Sequence, residues 1–200
     1  MKYSISLFFL LLCLTIQAQD FPNVDAVKGL PIGTEVKDFT AVSQEGETFN
    51  LQEALAAGPV VVVFYRGQWC PYCNRHLSAL NESLKDINQK GARLVAVSPE
   101  KQEQLLSSIE KTGARFTLLT DEGFEISEAF DLAFLPKSSV RLKYNTILGA
   151  DLTEAHSDNS ERLPIPATYI IGQNGKVLWR HFDRDYRQRA SPEEILANLP

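Results

Sequence analysis

The stretch VVVVFYRGQWCPYCNRHLSAL, residues 60–80, decides how this chain folds and which chemistry it carries. Residues 60–65 are all β-branched or aromatic, which predicts a strand covered on both faces. Apolar residues then recur at helical spacing over residues 71–88, which predicts a helix. Cys70 and Cys73 therefore lie where a buried strand leads into a helix.

Two cysteines at this spacing are suited to redox chemistry. In the first helical turn, Cys70 lies against the positive end of the helix dipole and unpaired N–H groups, which lower the pKa of its thiol. Cys73, one turn further on, can attack a mixed disulfide made at Cys70. Pro71 fits the first helical position because its φ is fixed and it has no N–H group. A disulfide across so short a loop would stabilise the fold little, so we interpret the pair as a redox centre.

Other uses of a cysteine pair fit this sequence less well. Haem attachment needs a histidine directly after the second cysteine, and Asn74 stands there. Zinc binding needs two more ligands, and His76, His156 and His181 form no second paired motif. We therefore expect no metal, and a non-enzymatic binding module built on a staple or a zinc clip is the least favoured hypothesis.

The composition of the chain is that of an ordinary globular protein. Its 200 residues suit one domain with extensions, and a hydrophobic fraction of 44% allows a full core. The formal net charge of -5 leaves no basic footprint for nucleic acid. We therefore expect no nucleic-acid partner.

The N-terminus, MKYSISLFFLLLCLTIQAQD, has the pattern of a secretory signal peptide. Lys2 precedes an apolar run over residues 5–16, and small and polar residues follow. The run is shorter than the roughly 20 residues that span a bilayer, so we expect no stable membrane insertion. We predict a signal peptide at residues 1–18 that is removed together with Cys13. The mature chain would then be exported, either periplasmic or secreted.

The rest of the chain predicts an α/β fold. Strand-like and helix-like runs alternate after residue 60. A first hairpin, with its turn near Gly46, precedes this region, and a second, with Asn174 and Gly175 at its bend, follows it. This order predicts a three-layer fold in which helices flank a central mixed sheet, with an N-terminal β-hairpin.

The pattern of strand-like and helix-like runs also predicts the domain organisation. Residues 19–34 are a leader segment, and residues 35–199 form the single domain. Residues 131–164 are polar and without a clear period, so we interpret them as an irregular insertion in that domain.

The run FYRGQWCPYC, residues 64–73, resembles the thioredoxin superfamily. More closely, it resembles the peroxiredoxin-like branch that contains alkyl hydroperoxide reductase and thiol-specific antioxidant proteins. The resemblance extends over residues 33–199, where RLVAVSPE is similar to a strand–helix unit of that branch and ATYIIGQNGKVLW to its closing hairpin. It implies a thioredoxin-like fold and an enzyme without a cofactor other than a redox-active Cys70–Cys73 disulfide. It also implies a hydroperoxide substrate and a thioredoxin-like or other thiol electron donor.

Two positions depart from the pattern of that branch. Its signature, Pro-x-x-x-Thr-x-x-Cys, aligns Arg66 with the proline, Cys70 with the threonine and Cys73 with the peroxidatic cysteine. The threonine hydroxyl that would orient the peroxide is therefore missing. Pro166 takes the place of the arginine that precedes the closing strand, and it resembles the cis-proline of thioredoxins.

The departures leave the order of attack open. The position at the helix terminus favours Cys70 as the attacking cysteine, whereas the alignment favours Cys73 with Cys70 resolving. We expect Cys73 to attack peroxides and Cys70 to attack disulfide substrates. The chain would thus be a thiol peroxidase that forms a sulfenic acid and then a disulfide. The alternative is an exported thioredoxin-like oxidoreductase that acts on protein cysteines.

Four further residues are candidates for supporting roles. Arg66 could hold a thiolate or a peroxide oxygen, although a solvated charge at the strand end fits equally well. Trp69 could shield the dithiol or serve only in packing. Tyr72 could tune the thiolate, contact partners or simply lie exposed. His76 could share a proton with Cys73, but a surface histidine fits the spacing better.

One further run looks unrelated to the site. The residues 180–189, RHFDRDYRQR, carry charges of both signs. This pattern is typical of a solvated face.

Overall fold

The computed structural model describes residues 21–200. The predicted signal peptide, residues 1–18 with Cys13, lies outside the described residues and stays a prediction. Within residues 21–200, no helix combines the length and the apolar character needed to cross a membrane.

A seven-stranded mixed sheet is the centre of the fold, and two further strands form a separate pair. The strands of both are β1 (Thr40–Ser43), β2 (Thr48–Asn50), β3 (Val60–Phe64), β4 (Arg93–Ser98), β5 (Thr117–Thr120), β6 (Ala133–Phe134), β7 (Leu163–Pro164), β8 (Ala167–Ile171) and β9 (Val177–Phe182). The sheet order is β2-β1-β5-β4-β3-β8-β9, and β6 and β7 form a separate pair. β3 runs parallel to β4 and antiparallel to β8, so the strand that leads to the cysteines is central.

Helices cover both faces of this sheet. They are α1 (Leu51–Ala57), α2 (Pro71–Glu82), α3 (Leu84–Gln89), α4 (Gln102–Thr112), α5 (Glu125–Ala129), α6 (Ser138–Ile147), α7 (Leu152–Ala155) and α8 (Pro192–Asn198). α2, α4 and α8 contribute to the core on one face, and α1 and α5 to the core on the other. The predicted three-layer α/β fold with a central mixed sheet is confirmed.

The continuous apolar run of β3 follows from its central position. Every residue of β3 is buried, and alternate residues belong to the two cores on opposite faces of the sheet. A strand buried on both faces needs apolar side chains in both directions, which is why the run shows no alternation. The helical pattern after it also formed, although Ser83 divides the predicted helix into α2 and α3.

The N-terminal hairpin is present but shorter than predicted, because the sequence pattern placed its first strand at residues 35–42. β1 begins at Thr40, and Glu35 makes only an isolated bridge with Lys176. The carboxylate of Asp38 accepts hydrogen bonds from the backbone of Gln52 and the side chain of Asn50, so the chain before β1 is tied to the start of α1. Side-chain hydrogen bonds of this kind compete with ladder pairing.

The interpretation of residues 131–164 as irregular is wrong, because the segment holds α6, α7 and the β6–β7 pair. Within α6, Val140, Tyr144 and Ile147 recur at helical spacing, but Val140 and Tyr144 are only half-buried and Ile147 is exposed, so this short stripe is a weak signal among polar residues. Polar contacts also hold the helix: Glu161 accepts hydrogen bonds from Arg141 at 2.8 Å and from Asn145 at 3.0 Å. That the segment is an insertion, and that residues 19–34 are a leader, stay predictions.

Candidate active site

The two cysteines lie at the start of α2, as the sequence predicts. Cys70 is the N-cap residue, with extended backbone angles, and Pro71 opens the helix. Cys73 follows in the first turn. Both are reduced, and both side chains are fully buried.

The electrostatics of the pair differ from the expectation that Cys70 gains most from the helix terminus. Burial opposes ionisation of Cys73, but a hydrogen bond from Cys70 and the charges of Arg189 and Arg66 together lower its pKa well below the ordinary value. The same hydrogen bond to Cys73 is the main cause that raises the pKa of Cys70, and burial adds to it. These opposite shifts favour a thiolate on Cys73 and a protonated thiol on Cys70.

Arg66 faces the dithiol and is not a solvated charge at a strand end. Only 3% of its surface is exposed. Its Nη2 donates to the sulfur of Cys70 at 3.0 Å, its Nη1 donates to the hydroxyl of Tyr144 at 2.9 Å, and its backbone N–H donates to the sulfur of Cys73 at 3.5 Å. This one residue therefore contacts both sulfurs.

Three aromatic rings surround the guanidinium of Arg66, and we call them the aromatic cage: Trp69, Tyr144 and Tyr186. Their ring centroids lie 5.0, 5.1 and 3.9 Å from the guanidinium carbon. Trp69 is buried and stacks against Tyr144 with 5.1 Å between centroids. Both roles considered for Trp69, shielding and packing, are compatible with this position.

The segment between β9 and α8 crosses the site, and we call residues 183–190 the strap. Arg189 from the strap donates from Nη2 to the sulfur of Cys73 at 3.5 Å. Its Nε donates to the carbonyl of Tyr186 at 2.7 Å, and the ring of Tyr186 meets that of Tyr72 edge-on at 5.5 Å. The expectation that residues 180–189 form only a solvated face is therefore wrong for the strap. Tyr72 is half-buried under it.

A buried carboxylate lies next to the loop that carries the cysteines. Glu100 follows β4, has no exposed surface, and accepts the N–H of Gln68 on both oxygens at 3.0 and 2.9 Å. Burial raises the pKa of this carboxyl to about 8. Gly67 permits the contact, because a β-carbon there would lie 2.5 Å from Oε1 of Glu100.

A groove of about 450 Å³ is lined by Arg66, Tyr144, Tyr186 and Pro166, among others. Neither cysteine lines it, and Arg66, which donates to the sulfur of Cys70, connects the groove to the dithiol. A larger cavity of about 680 Å³ lies beside β1, but its lining includes neither the cysteines nor Arg66. Chemistry at the cysteines therefore places the candidate site at the smaller groove. Among residues 21–200, no group of three or more histidine, cysteine or acidic side chains is arranged to hold a metal ion.

Comparison with known proteins identifies the family. The AhpC/TSA family model matches residues 32–180. This chain belongs to the AhpC/TSA family. Peroxiredoxin Q, chloroplastic, from Sedum lineare is 27% identical over 145 residues, and peroxiredoxin Bcp from Escherichia coli K12 is 30% identical over 101 residues. The matches cover 72% and 50% of this chain, but only 65% and 64% of the two relatives.

Solved structures show the same fold. Peroxidoxin BcpB from Mycobacterium tuberculosis superimposes with a TM-score of 0.66 at 21% identity, over 85% of this chain and 96% of that one. PrxQ from Xylella fastidiosa gives 0.67 at 17% identity, over 86% and 96%. The resemblance to the peroxiredoxin-like branch, inferred from residues 64–73, is confirmed.

The expected cis-proline of this AhpC/TSA protein is not present. The bond before Pro166 is trans, as are all peptide bonds in residues 21–200. Ile165 donates its N–H to the carbonyl of Leu132, and Ala167 enters β8 directly, so the chain is extended on both sides of the proline. Trans is the lower-energy isomer by about 0.5–1 kcal/mol, and nothing in these contacts opposes it.

His76 also differs from both roles that the sequence suggested. It is buried rather than on the surface, and its Nε2 lies 2.9 Å from the carbonyl of Ala190. Its Nδ1 has no hydrogen-bond partner within residues 21–200, so it shares no proton with Cys73. Burial, aided by the charge of Arg189, lowers the pKa of this imidazole to about 3 and keeps it neutral.

Sequence reasoning missed four residues of this AhpC/TSA site: Tyr144, Tyr186, Arg189 and Glu100. None of them lies near the cysteines in the sequence, and Tyr144 is 78 positions from the arginine it contacts. The sequence offered one usable signal, an acidic residue two positions after the end of β4. For the tyrosines and Arg189, only the fold brings them to the dithiol.

Proposed function

We propose that this protein is a thiol peroxidase that reduces hydroperoxides with Cys73 as the attacking residue and Cys70 as the resolving one. One observation carries the proposal. The sulfur of Cys73 lies 3.5 Å from both the N–H of Arg66 and the guanidinium of Arg189, and this cationic setting favours the thiolate. Family membership supports it, since the relatives named above are peroxiredoxins.

The residues present account for each step. The Cys73 thiolate attacks the outer peroxide oxygen, an S–O bond forms, the O–O bond breaks, and the electron pair leaves on the inner oxygen as an alkoxide. Cys70, whose raised pKa keeps it protonated beforehand, gives its proton to the alkoxide and becomes a thiolate. That thiolate attacks the sulfenic acid, so that a disulfide forms and hydroxide leaves. Two thiols of an external donor then restore the dithiol and become a disulfide themselves.

Two guanidinium groups take over the work of the missing threonine. The O–O bond breaks heterolytically, so negative charge builds on the leaving oxygen. The charges of Arg66 and Arg189, fixed within hydrogen-bond range of the sulfurs, stabilise that charge. Arg66, placed at the proline of the family signature, thus compensates for the arginine that Pro166 replaces.

The test is to find which sulfur becomes a sulfenic acid. Reduced Cys70→Ser and Cys73→Ser proteins receive one equivalent of peroxide with dimedone, followed by mass spectrometry of the peptides. We expect adduct on Cys73 in the Cys70→Ser protein and none on Cys70 in the Cys73→Ser protein. Adduct on Cys70 at an equal rate would refute the assignment. Peroxide consumption with dithiothreitol, lost in both variants, provides the turnover measurement.

The second candidate is a thiol–disulfide oxidoreductase acting on protein cysteines. It is favoured by the position of Cys70, the N-cap residue of a CPYC helix with its sulfur 3.0 Å from a guanidinium. The trans bond at Pro166 and the complete burial of both sulfurs favour the peroxidase, which needs to admit only a small molecule. Insulin reduction without peroxide turnover would decide for the second candidate.

We also propose that the mature protein acts outside the cytoplasm. The support is the sequence pattern of residues 1–18, a lysine followed by a short apolar run and small residues. Cell fractionation of the full chain, with N-terminal sequencing of the mature product, tests it. A cytoplasmic product that keeps its N-terminus would refute the proposal.

A further inference from the structure

Arg66 is a buried cation without a carboxylate partner. None of the ion pairs found within residues 21–200 includes it. Its side-chain hydrogen bonds go to the hydroxyl of Tyr144 and the sulfur of Cys70. Its Nε is buried and has no partner in the described part of the chain. A buried charge is costly unless it is compensated. The dithiol is the one anionic neighbour that compensates Arg66 among residues 21–200, so groups other than a carboxylate must fix the position of the guanidinium.

The aromatic cage supplies those groups. The ring of Tyr186 lies 3.9 Å from the guanidinium carbon, the shortest of the three cage distances. We propose that Tyr186 and Tyr144 are positioning residues that hold the charge of Arg66 on the dithiol. A cation over an aromatic face is attracted by the ring quadrupole, and guanidinium groups are the commonest partners of such rings.

Rings suit this task better than a carboxylate. A carboxylate next to Arg66 would neutralise much of its field and compete with the thiolate for the same N–H groups. An aromatic ring carries no net charge, so it holds the cation and leaves the field directed at the sulfurs. The cage therefore orients Arg66 without reducing its effect on the pKa of the dithiol.

The cage joins three separate parts of the chain at one point. Trp69 comes from the loop before α2, Tyr144 from α6 and Tyr186 from the strap. Arg189 hydrogen-bonds the carbonyl of Tyr186, so the strap delivers a ring to one arginine and a second guanidinium to Cys73. Through Tyr144, which contacts Arg66 and Trp69, the largely exposed helix α6 is held beside the groove.

The inference rests on the proposed function in that both concern the same dithiol, but its test does not require peroxide turnover. Tyr186→Leu and Tyr186→Phe proteins are alkylated with iodoacetamide across a pH series, and modified Cys70 and Cys73 are quantified by mass spectrometry. Phenylalanine keeps the ring and serves as the matched control. We expect leucine to move the midpoint of the pH profile upward by about half a unit to one unit, as expected for loss of a cation–π contact. Phenylalanine should leave the midpoint unchanged.

The outcomes separate the two claims. A folded Tyr186→Leu protein with the wild-type midpoint, or equal shifts in both variants, would overturn the cage. If leucine prevents folding, the pair Tyr144→Leu and Tyr144→Phe replaces it, with a larger upward shift expected for leucine. A further outcome is an upward shift of the midpoint of the pH profile in Tyr186→Leu although the wild-type protein consumes no peroxide. That result would support the positioning role of the aromatic cage and refute the proposed peroxidase activity.

Discussion

The Nη2 atom of Arg189 lies 3.5 Å from the sulfur of Cys73, although 116 positions separate the two residues in the sequence. The contact comes from the strap, which also carries Tyr186 onto Arg66. It gives the buried thiolate a second cation besides Arg66. Because the side chain of Arg189 is only half-buried, we expect its effect on Cys73 to be moderate rather than decisive.

Replacing Arg189 with glutamine should weaken the nucleophile. Loss of a charge-assisted hydrogen bond costs about 1.5–3 kcal/mol, and discounting for partial exposure leaves a fall of about tenfold in the peroxide rate at pH 7. The pKa of Cys73 should rise, so the rate should recover as the pH is increased. Stopped-flow peroxide reduction across a pH series measures both effects.

Arg189→Lys is the matched control, because it keeps the charge but loses the planar geometry of guanidinium. We expect it to retain more of the rate at pH 7 than the glutamine variant. A glutamine protein with the wild-type rate and pH profile would show that this contact does not act on the thiolate.

The parts of the fold that the sequence predicted are those specified by local patterns. β3 and α2 followed from a β-branched run and from helical spacing opened by Pro71. The closing hairpin followed from the bend at Asn174 and Gly175, where the positive φ of Gly175 is one that glycine adopts readily. In each case, neighbouring residues alone carry the information.

The parts that the sequence did not predict depend on contacts between distant residues. α6 has only a short apolar stripe, Val140, Tyr144 and Ile147, and none of these side chains is fully buried, so the pattern is too weak to mark a helix among polar residues. The strap looks like a solvated charged run because Arg184 and Arg187 are exposed, whereas Tyr186 and Arg189 turn inward. Composition cannot distinguish the two pairs.

Access of substrate to the dithiol should depend on the hydrogen bonds that fix the strap to residues 24–27. Both sulfurs are fully buried, so substrate needs a local opening. Arg184 anchors the strap by donating hydrogen bonds to the carbonyls of Val24, Asp25 and Val27. Arg184→Ala should therefore increase hydrogen exchange in the strap and accelerate alkylation of the cysteines by about tenfold, since a few such bonds are worth 1–2 kcal/mol.

Arg187→Ala is the control for this experiment. Arg187 is also exposed, but among residues 21–200 its side chain bonds only to Asp185, which lies within the strap. Its loss should leave both exchange and alkylation near wild-type values. Equal acceleration in both variants would indicate that the anchor to residues 24–27 does not control access.

Gly67 should tolerate no side chain. Its φ is +146°, and a β-carbon there would lie 2.5 Å from a carboxylate oxygen of Glu100 and 2.6 Å from Nε1 of Trp69. Gly67→Ala should reduce the free energy of unfolding by about 3 kcal/mol, from backbone strain together with displacement of a buried, hydrogen-bonded acid. Gly91→Ala is the comparison, since Gly91 also has a positive φ but no atom of residues 21–200 lies within 4 Å of the added carbon. It should cost only about 1 kcal/mol, and equal losses would contradict the predicted clash.

Glu100 should make the protein less stable as the pH rises. Its pKa is raised from 4.5 to about 8, mainly by burial, so between these values the native state binds a proton that the unfolded chain has lost. Stability therefore falls with pH across this window, by at most about 1.4 kcal/mol per unit. His76 and His156 act in the opposite direction but only below about pH 6.5, because burial lowers their pKa values to about 3 and 4.

Between pH 6.5 and 8 the two histidines no longer act, and Glu100→Gln provides the reference because glutamine accepts the N–H of Gln68 but does not ionise. Denaturant unfolding of both reduced proteins should show the stability of the wild type relative to the variant falling by about 1–2 kcal/mol over this interval. Above pH 8 the difference should become constant. The cysteines and histidines are present in both proteins, so their direct contributions cancel. A difference that stays the same from pH 6.5 to 9 would mean that the carboxyl is already ionised in the folded protein and that burial does not raise its pKa.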